Sequence, residues 1–276
     1  MRAVIMAAGV GSRISRNIDR PKSLLEIEGK SILRRTVEML RANNIEPCVV
    51  AGYMHKQIEE NLKDLEVKIF LNPFYKVTNS LGSLWFARDF IKKDEPLLLA
   101  NADVFWEEDL LNKLLDDDKE VVMLADSSAI RLQKGDYFFG CEDGKIVKYG
   151  KELAETIRTH EYVGVAKVLP SFIPRFCETM TEMIEENLYD GWWENILYRL
   201  SSNYDVYIKD TEGIFWAEVD YIEDYERIME YVWSKKGLDR GIEKVTKNMF
   251  KENCPVELIA RVTGLTEKQI KEIKLM

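Results

Sequence analysis

The chain has 276 residues, of which 46% are hydrophobic and 32% charged, and its formal net charge is −9 at pH 7. This length favours one large α/β domain with an appendage over two independent domains, and no apolar run reaches the about 20 residues that a membrane-spanning helix needs. With two histidines, and four scattered cysteines that form no CxxC pair, a multi-histidine metal site is excluded and a disulfide framework is disfavoured.

Composition also limits the ligands. A metal in such a chain is expected to be hard and bound by carboxylates, which indicates Mg²⁺. Residues 235–276 hold ten Lys/Arg against six Asp/Glu, so residues 1–234 are strongly acidic. We therefore expect no nucleic-acid partner, and an anionic ligand would need a locally basic pocket. The start of the chain is typical of folded protein and not of a signal peptide, so a cytoplasmic location and no membrane partner are expected.

Strands and helices alternate along the first part of the chain. This alternation is typical of βαβ units in a mostly parallel, doubly wound sheet. The predicted elements are a strand at 2–8, a helix at 31–43, a strand at 48–53, a helix at 55–65, a strand at 67–72, a helix at 80–92 and a strand at 96–105.

The pattern changes after residue 121, where short strands separated by turn residues predict antiparallel additions to the sheet. The fold class is thus α/β, with a Rossmann-like mixed, mostly parallel sheet, antiparallel additions and a small C-terminal helical appendage. The predicted domains are 1–234 and a helical tail, 235–276. The later elements are strands at 121–126 and 162–168, short strands over 137–150 with a turn at 142–144, helices at 171–187 and 190–201, a strand pair at 205–210 and 215–220, a helix at 221–234 and two or three short helices over 238–276.

A glycine-containing segment follows the first strand. AAGVGSR spans residues 7–13, and Pro21-Lys22 comes shortly after it. Glycines let backbone N–H groups approach an anion, and Arg13 and Lys22 add the positive charge that a triphosphate requires. Arg16 and Arg20 enlarge this basic pocket. A turn of a Rossmann dehydrogenase or a P-loop is the alternative. However, the segment lacks the third glycine of GxGxxG and the GK[ST] ending.

The spaced segments AAGVGSR and PKSLLEIEGKSILRRTVEML resemble the signature of the sugar-nucleotidyltransferase-like superfamily. Within it, NPFYKVTNSLGSLWFARDFI followed by LLLANADVFW is similar to the bacterial phosphocholine cytidylyltransferases and their aminoalkylphosphonate relatives. The resemblance covers about residues 1–234. It implies transfer of CMP from CTP to a small phosphorylated amino alcohol, most of all phosphocholine, with Mg²⁺ as cofactor and release of pyrophosphate.

The resemblance also implies a nucleotide site. In it the backbone around Ala7 to Gly9 and the side chains of Asn79 and Ser83 would contact the pyrimidine, while Lys22 and Arg13 stabilise the triphosphate. A helix N-cap is the alternative role for Asn79, and the two roles can coexist. The full predicted nucleotide set is Ala7, Ala8, Gly9, Gly11, Ser12, Arg13, Lys22, Asn79 and Ser83.

Two aspartates end apolar strands. Asp103 follows LLLANA and Asp220 follows FWAEV, and open α/β sheets bind ligands at the carboxyl ends of their strands. The resemblance implies that Asp103 and Asp220 together hold Mg²⁺ and are catalytic with Lys22 and Arg13. For either aspartate alone, a turn or N-cap role is the alternative. Glu218 is a weaker metal candidate.

The acceptor site is predicted from aromatic residues and one lysine. Lys151 would hold the acceptor phosphate, by resemblance to a similarly placed lysine in the superfamily. Aromatic faces and carboxylates could enclose a cationic head group, although most aromatic clusters are simply core. The alternative acceptors are 2-aminoethylphosphonate, inositol phosphate and a sugar 1-phosphate. The predicted acceptor residues besides Lys151 are Glu161, Trp192, Trp193, Glu194 and Trp216.

The tail segment PVELIARVTGLTEKQIKEI has helix-turn-helix character. One alternative is therefore a regulatory nucleotide sensor with a DNA-binding tail. A recognition helix should carry a denser set of Arg, Lys, Asn and Gln than this one does. Packing against the body or against a second copy, in a homodimer, is the expected use of the tail.

Overall fold

The computed structural model describes residues 1–11, 20–251 and 255–275. Short 3-10 helices cover Lys22–Leu24 and Arg88–Phe90. The strands in the described ranges are β1 (Arg2–Ala7), β2 (Glu26–Ile27), β3 (Lys30–Ser31), β4 (Glu46–Ala51), β5 (Lys68–Leu71), β6 (Leu97–Asn101), β7 (Val104–Phe105), β8 (Val121–Asp126), β9 (Phe138–Glu142), β10 (Lys145–Gly150), β11 (His160–Val168), β12 (Tyr207–Asp210) and β13 (Ala217–Glu218). The α-helices there are α1 (Ile32–Ala42), α2 (His55–Leu62), α3 (Ser80–Phe86), α4 (Glu108–Leu115), α5 (Ala129–Lys134), α6 (Ile173–Glu185), α7 (Asn195–Leu200), α8 (Ile222–Lys251), α9 (Val256–Thr263) and α10 (Glu267–Leu275).

A mixed sheet forms the centre of the fold. In the part of the chain that the structure describes, its strand order is β5-β4-β1-β6-β11-β8-β12-β10-β9. The pairings β5–β4, β4–β1, β1–β6 and β8–β12 are parallel, whereas β11 and β10 run antiparallel to their neighbours. Most strands therefore point the same way, which confirms the predicted mixed, mostly parallel sheet with antiparallel additions.

Both faces of this sheet are covered. Side chains alternate along β1, so Val4 lies in the hydrophobic layer on one face and Ile5 in the layer on the other. Helix α1 covers the second face through Leu33, Val37 and Leu40, which recur at helical spacing and are fully buried. Burial on both faces explains why β1, β4 and β6 are continuous apolar runs.

Two predicted strands differ from the structure in a way that shapes the candidate site. The run 96–105 is not one strand, because it turns at Ala102-Asp103 between β6 and β7. Segments 205–210 and 215–220 do not pair with each other, and this prediction was wrong. Strand β12 instead joins β8, while β13 pairs with β7.

The C-terminal part also differs from the prediction. Helix α8 continues to Lys251 and does not end at 234, because no proline interrupts it before Pro255 and i,i+4 pairs such as Glu243–Lys247 support its second half. The predicted domain boundary at 234/235 falls inside this helix. The chain divides into two compact units, Met1–Tyr225 and Glu226–Met276.

The second unit is a small helical assembly. Helix α9 begins after Pro255 and ends at Gly264, whose φ of 72° is left-handed, a conformation that glycine adopts without strain. Ile259 of α9 and Ile270 of α10 are buried. No helix among the described residues is both long enough and apolar enough to cross a membrane.

Candidate functional site

A cleft of about 460 Å³ opens where β1 and β6 end, within the first unit. Its lining includes the glycine segment after β1, the turn after β6 and the start of α3. It also includes residues just before β9, just after β10 and within β11. Parallel strands place their carboxyl ends on one edge of a sheet, and ligands bind there in open α/β folds. The cleft is therefore the candidate site.

The glycine segment forms one wall of the cleft. Ala7, Ala8, Gly9 and Gly11 all line it. Gly11 has a φ of 61°, and a Cβ there would lie 3.1 Å from side-chain carbons of Lys22. Glycine is therefore required at this position both by conformation and by the close approach of Lys22. Ser12 and Arg13 lie outside the described residues.

Lys22 lies at the floor of the cleft. Its Nζ donates to Oδ1 of Asp220 at 3.0 Å and contacts Oδ2 of Asp103. Burial by itself lowers the pKa of Lys22, but the carboxylates of Asp103, Glu218 and Asp220 together raise it well above its ordinary value. The ammonium is therefore charged at neutral pH.

Backbone pairing brings Asp103 and Asp220 together. Strand β13 pairs with β7, and the N–H of Val219 donates to the carbonyl oxygen of Asp103 at 3.0 Å. Because both carboxylates reach one ammonium, a single cation can contact both. Glu218 also lines the cleft, and burial, followed by the charge of Asp103, raises its pKa well above the usual range.

The opposite wall contains Asn79 and Ser83. Asn79 is the N-cap of α3, since its Oδ1 accepts from the N–H of Ser80 at 2.9 Å, and it also lines the cleft. Ser83 is buried, donates to the Asn79 carbonyl at 3.2 Å and accepts from Nδ2 of Asn72 at 3.0 Å. Asn79 thus serves as a helix N-cap and also lines the cleft, so its two predicted roles are compatible.

Part of the cleft lining is aromatic and acidic. Lys151, Trp192 and Glu194 line it as members of the predicted acceptor set. Nζ of Lys151 lies 2.6 Å from Oδ2 of Asp136 and 5.2 Å from the ring centre of Trp192. Tyr137 meets Trp192 edge to face, with ring centres 5.9 Å apart.

The structure places Trp193, Trp216 and Glu161 outside this lining, which corrects the predicted acceptor set. Trp193 is fully buried and its Nε1 donates to Oδ1 of Asn101 at 2.8 Å. Trp216 is 2% exposed and its Nε1 donates to Asp126 at 2.7 Å. Glu161 accepts from the N–H of Asp136 at 3.0 Å and is buried. Core packing and hydrogen bonds account for the two tryptophans, and Glu161 also lies 3.6 Å from the guanidinium of Arg131.

Four tyrosines line the cleft although the sequence patterns did not predict them there: Tyr75, Tyr137, Tyr162 and Tyr198. Tyr137 and Tyr198 stack with ring centres 5.2 Å apart, and the hydroxyl of Tyr162 is buried with no hydrogen-bond partner among the described residues. Tyr198 lies one helical turn after Glu194, so helical spacing could have indicated it. Tyr137 and Tyr162 reach the cleft only through strand pairing, for which the sequence carries no local signal.

Glu194 is a buried carboxyl group that lines the cleft beside the end of β6. It is 5% exposed, and its Oε1 accepts from Nδ2 of Asn101 at 2.9 Å. Asn101 thereby links the end of β6 to both Trp193 and Glu194. Burial is the main cause that raises the pKa of Glu194 to about 7.

This raised pKa predicts a pH-dependent stability. The folded protein holds the proton of Glu194 more tightly than the unfolded chain, so the unfolding free energy should fall as the pH rises from 4.5 to about 7 and level off above. The loss should be about 3 kcal/mol relative to Glu194→Gln. Urea denaturation of both proteins, with a chelator present, measures it. The charge of Glu194 also raises the pKa of Glu218, so the difference between the two profiles reports Glu194 together with its effect on Glu218. Parallel pH profiles would contradict the prediction.

Comparison with known proteins places this cleft in a family. Residues 3–171 match the MobA-like NTP transferase domain. The chain is 26% identical over 249 residues to CTP:phosphoglutamine cytidylyltransferase of Campylobacter jejuni, an alignment that covers 82% of this chain and 98% of that protein. It is 42% identical over 93 residues to choline-phosphate cytidylyltransferase of Haemophilus influenzae, covering 33% of this chain and 40% of the relative.

Solved structures agree on the fold. That of CTP:phosphocholine cytidylyltransferase from Streptococcus pneumoniae superposes with a TM-score of 0.68 at 19% identity, covering 84% of this chain and 98% of that one. The glycine segment, Lys22 and Asp103 all lie within the matched residues 3–171. The chain therefore belongs to the MobA-like NTP transferase family and is a nucleotidyltransferase.

Proposed function

We propose that the protein transfers CMP from CTP to phosphocholine, giving CDP-choline and pyrophosphate. The observation that carries the acceptor class is that aromatic and acidic residues line the same cleft as Lys22, Asp103 and Asp220. The names of the Campylobacter and Haemophilus relatives support CTP as donor and a small phosphorylated, nitrogen-containing molecule as acceptor.

The reaction needs orientation more than proton removal. A phosphate oxygen of the acceptor attacks the α-phosphorus of CTP in line, and the bond to pyrophosphate breaks. Because a phosphate monoester is largely ionised near pH 7, no general base is required. Lys22 stabilises the negative charge that the phosphates bring together, and the backbone of the glycine segment orients the nucleotide.

A divalent cation could be held by the two carboxylates that contact Lys22. The carboxylates of Asp103 and Asp220 converge on one positive charge, the ammonium of Lys22. Among the described residues no group of three or more His, Cys, Asp or Glu could hold a metal. This agrees with Mg²⁺, which binds through one or two carboxylates together with substrate phosphates and waters. Bound there, Mg²⁺ would neutralise phosphate charge.

The acceptor head would lie among aromatic faces. Trp192 and Tyr137 provide rings, and the carboxyl groups of Asp136, which pairs with Lys151, and of Glu194 also line the cleft. A quaternary ammonium is attracted by aromatic faces and by carboxylates, whereas a neutral sugar or inositol has no positive charge for them to attract. Lys151, which pairs with Asp136 and lines the cleft, would bind the acceptor phosphate.

The test is pyrophosphate release with CTP and Mg²⁺ across a panel of acceptors. We expect the highest kcat/KM with phosphocholine. The panel includes phosphoethanolamine, 2-aminoethylphosphonate, phosphoglutamine, inositol phosphate and a sugar 1-phosphate. A clear preference for one of the last two would overturn the cationic acceptor. Release with another nucleoside triphosphate but not with CTP would overturn the donor.

The aromatic residues of the cleft yield a second prediction. Trp192→Ala should raise the KM for phosphocholine by about tenfold, equivalent to 1 to 2 kcal/mol of lost cation–π attraction, and change the KM for CTP much less. Tyr204→Ala is the matched control, because Tyr204 is exposed and packs against Phe172 away from the cleft. Equal effects on both substrates would show that Trp192 supports the cleft without contacting the acceptor.

A further inference from the structure

One exposed face of α8 has a symmetric arrangement that the catalytic cleft does not use. With 3.6 residues per turn, residues spaced three or four apart share a face of a helix. The residues on this face are all exposed, and we name it the Gly237 face: Glu226, Glu230, Trp233, Gly237, Gly241, Lys244 and Asn248.

The spacing of these residues is the same in both directions from Gly237. Trp233 and Gly241 lie one turn away, Glu230 and Lys244 two turns, and Glu226 and Asn248 three turns. The first two pairs are complementary: a large ring opposite a glycine, and an acid opposite a base. Within one chain the members of a pair are too far apart along the helix to touch.

The chemistry of the face indicates a buried contact. Trp233 is 62% exposed, and Leu238 at the edge of the face is 65% exposed. A Cβ added at Gly237 or Gly241 would meet nothing within 4 Å, so neither glycine is required by packing inside the chain. Each glycine costs the helix about 1 kcal/mol relative to alanine. Close approach of a second helix would offset that cost.

We propose that the Gly237 face is the interface of a homodimer in which two α8 helices pack antiparallel across a twofold axis at Gly237. This arrangement brings Trp233 over Gly241 of the partner subunit and Glu230 against Lys244 of the partner subunit. A parallel pair would instead oppose Glu230 to Glu230 and Trp233 to Trp233. A twofold interface is isologous, so each complementary contact occurs twice.

The length of the chain agrees with a C-terminal unit that is additional to the nucleotidyltransferase domain. The alignment with the Campylobacter relative covers 98% of that protein and 82% of this chain, so about a fifth of this chain lies outside it. The unit Glu226–Met276, which contains the Gly237 face, is of about this size.

Charge reversal tests the proposal. The native mass, measured by light scattering at micromolar concentration, should be twice the 32.2 kDa of one chain. Glu230→Lys and Lys244→Glu should each weaken dimerisation by about a hundredfold through like-charge contacts, and the double variant should restore it. Asp239→Lys, exposed on the opposite side of α8, is the matched control and should remain dimeric.

Cross-linking gives an independent measurement. Gly237→Cys should form an intermolecular disulfide under mild oxidation, whereas Asp239→Cys should not. A monomeric wild-type protein, or a double variant that stays monomeric while its circular dichroism is unchanged, would overturn the proposal. The rate of nucleotidyl transfer per chain should be the same in monomeric and dimeric variants. Failure of the dimer is thus distinguishable from failure of the proposed function.

Discussion

Asp103→Asn and Asp220→Asn should each lower kcat by about a thousandfold, a loss of roughly 4 kcal/mol of transition-state stabilisation. The carboxylates lie 117 positions apart in sequence, yet both contact the ammonium of Lys22. Because both oxygens lie within salt-bridge distance of one nitrogen atom, the two carboxylates are near enough to bind one ion together. The double variant should be little worse than the worse single variant, because groups that serve one ion are not additive.

Metal binding separates this prediction from a general loss of structure. Titration with Mn²⁺, followed by electron paramagnetic resonance in the presence of CTP, should show weaker binding in either variant. Asp89→Asn is the matched control, because the Asp89 side chain is 86% exposed. Losses that simply multiply in the double variant, or unchanged Mn²⁺ binding, would show that the two aspartates do not share an ion.

Lys22→Ala should slow turnover by about a hundredfold, or roughly 3 kcal/mol, with a smaller change in the KM for CTP. Lys22 adjoins the glycine segment and carries a charge that three nearby carboxylates stabilise. That charge matters most when the negative charges of two substrates meet. Arg13→Ala, predicted from sequence alone, should have a similar effect.

Controls decide how to interpret a loss at position 22. Lys30→Ala removes an exposed lysine from the same part of the chain and should leave kcat unchanged. Lys22→Arg keeps the charge and tests whether charge alone is sufficient, since a guanidinium is larger and planar. A folded Lys22→Ala protein with near-wild-type kcat would remove Lys22 from the mechanism.

Much of the molecule followed from local sequence patterns. The spacing of apolar residues predicted the strands from β1 to β6 and the helices that cover them. A helix or strand with a buried face repeats apolar residues at a fixed spacing, which is visible in a short segment of sequence. The glycine segment and Asp103 could be predicted because each directly follows a strand. Lys22 could be predicted because it adjoins the glycine segment. Since strand ends meet at one edge of a parallel sheet, the order of strands along the chain was enough to predict their grouping in one cleft.

Other features depended on three-dimensional contacts. Trp192 and Trp193 are neighbours in sequence, but Trp192 is 40% exposed and lines the cleft while Trp193 is fully buried. Pairing of β13 with β7, not with β12, brings Asp220 to Asp103. Tyr137 and Tyr162 join the cleft through strands distant in sequence. Packing against residues far along the chain decides whether an aromatic or acidic side chain faces the cleft or the core. No local sequence pattern records those contacts.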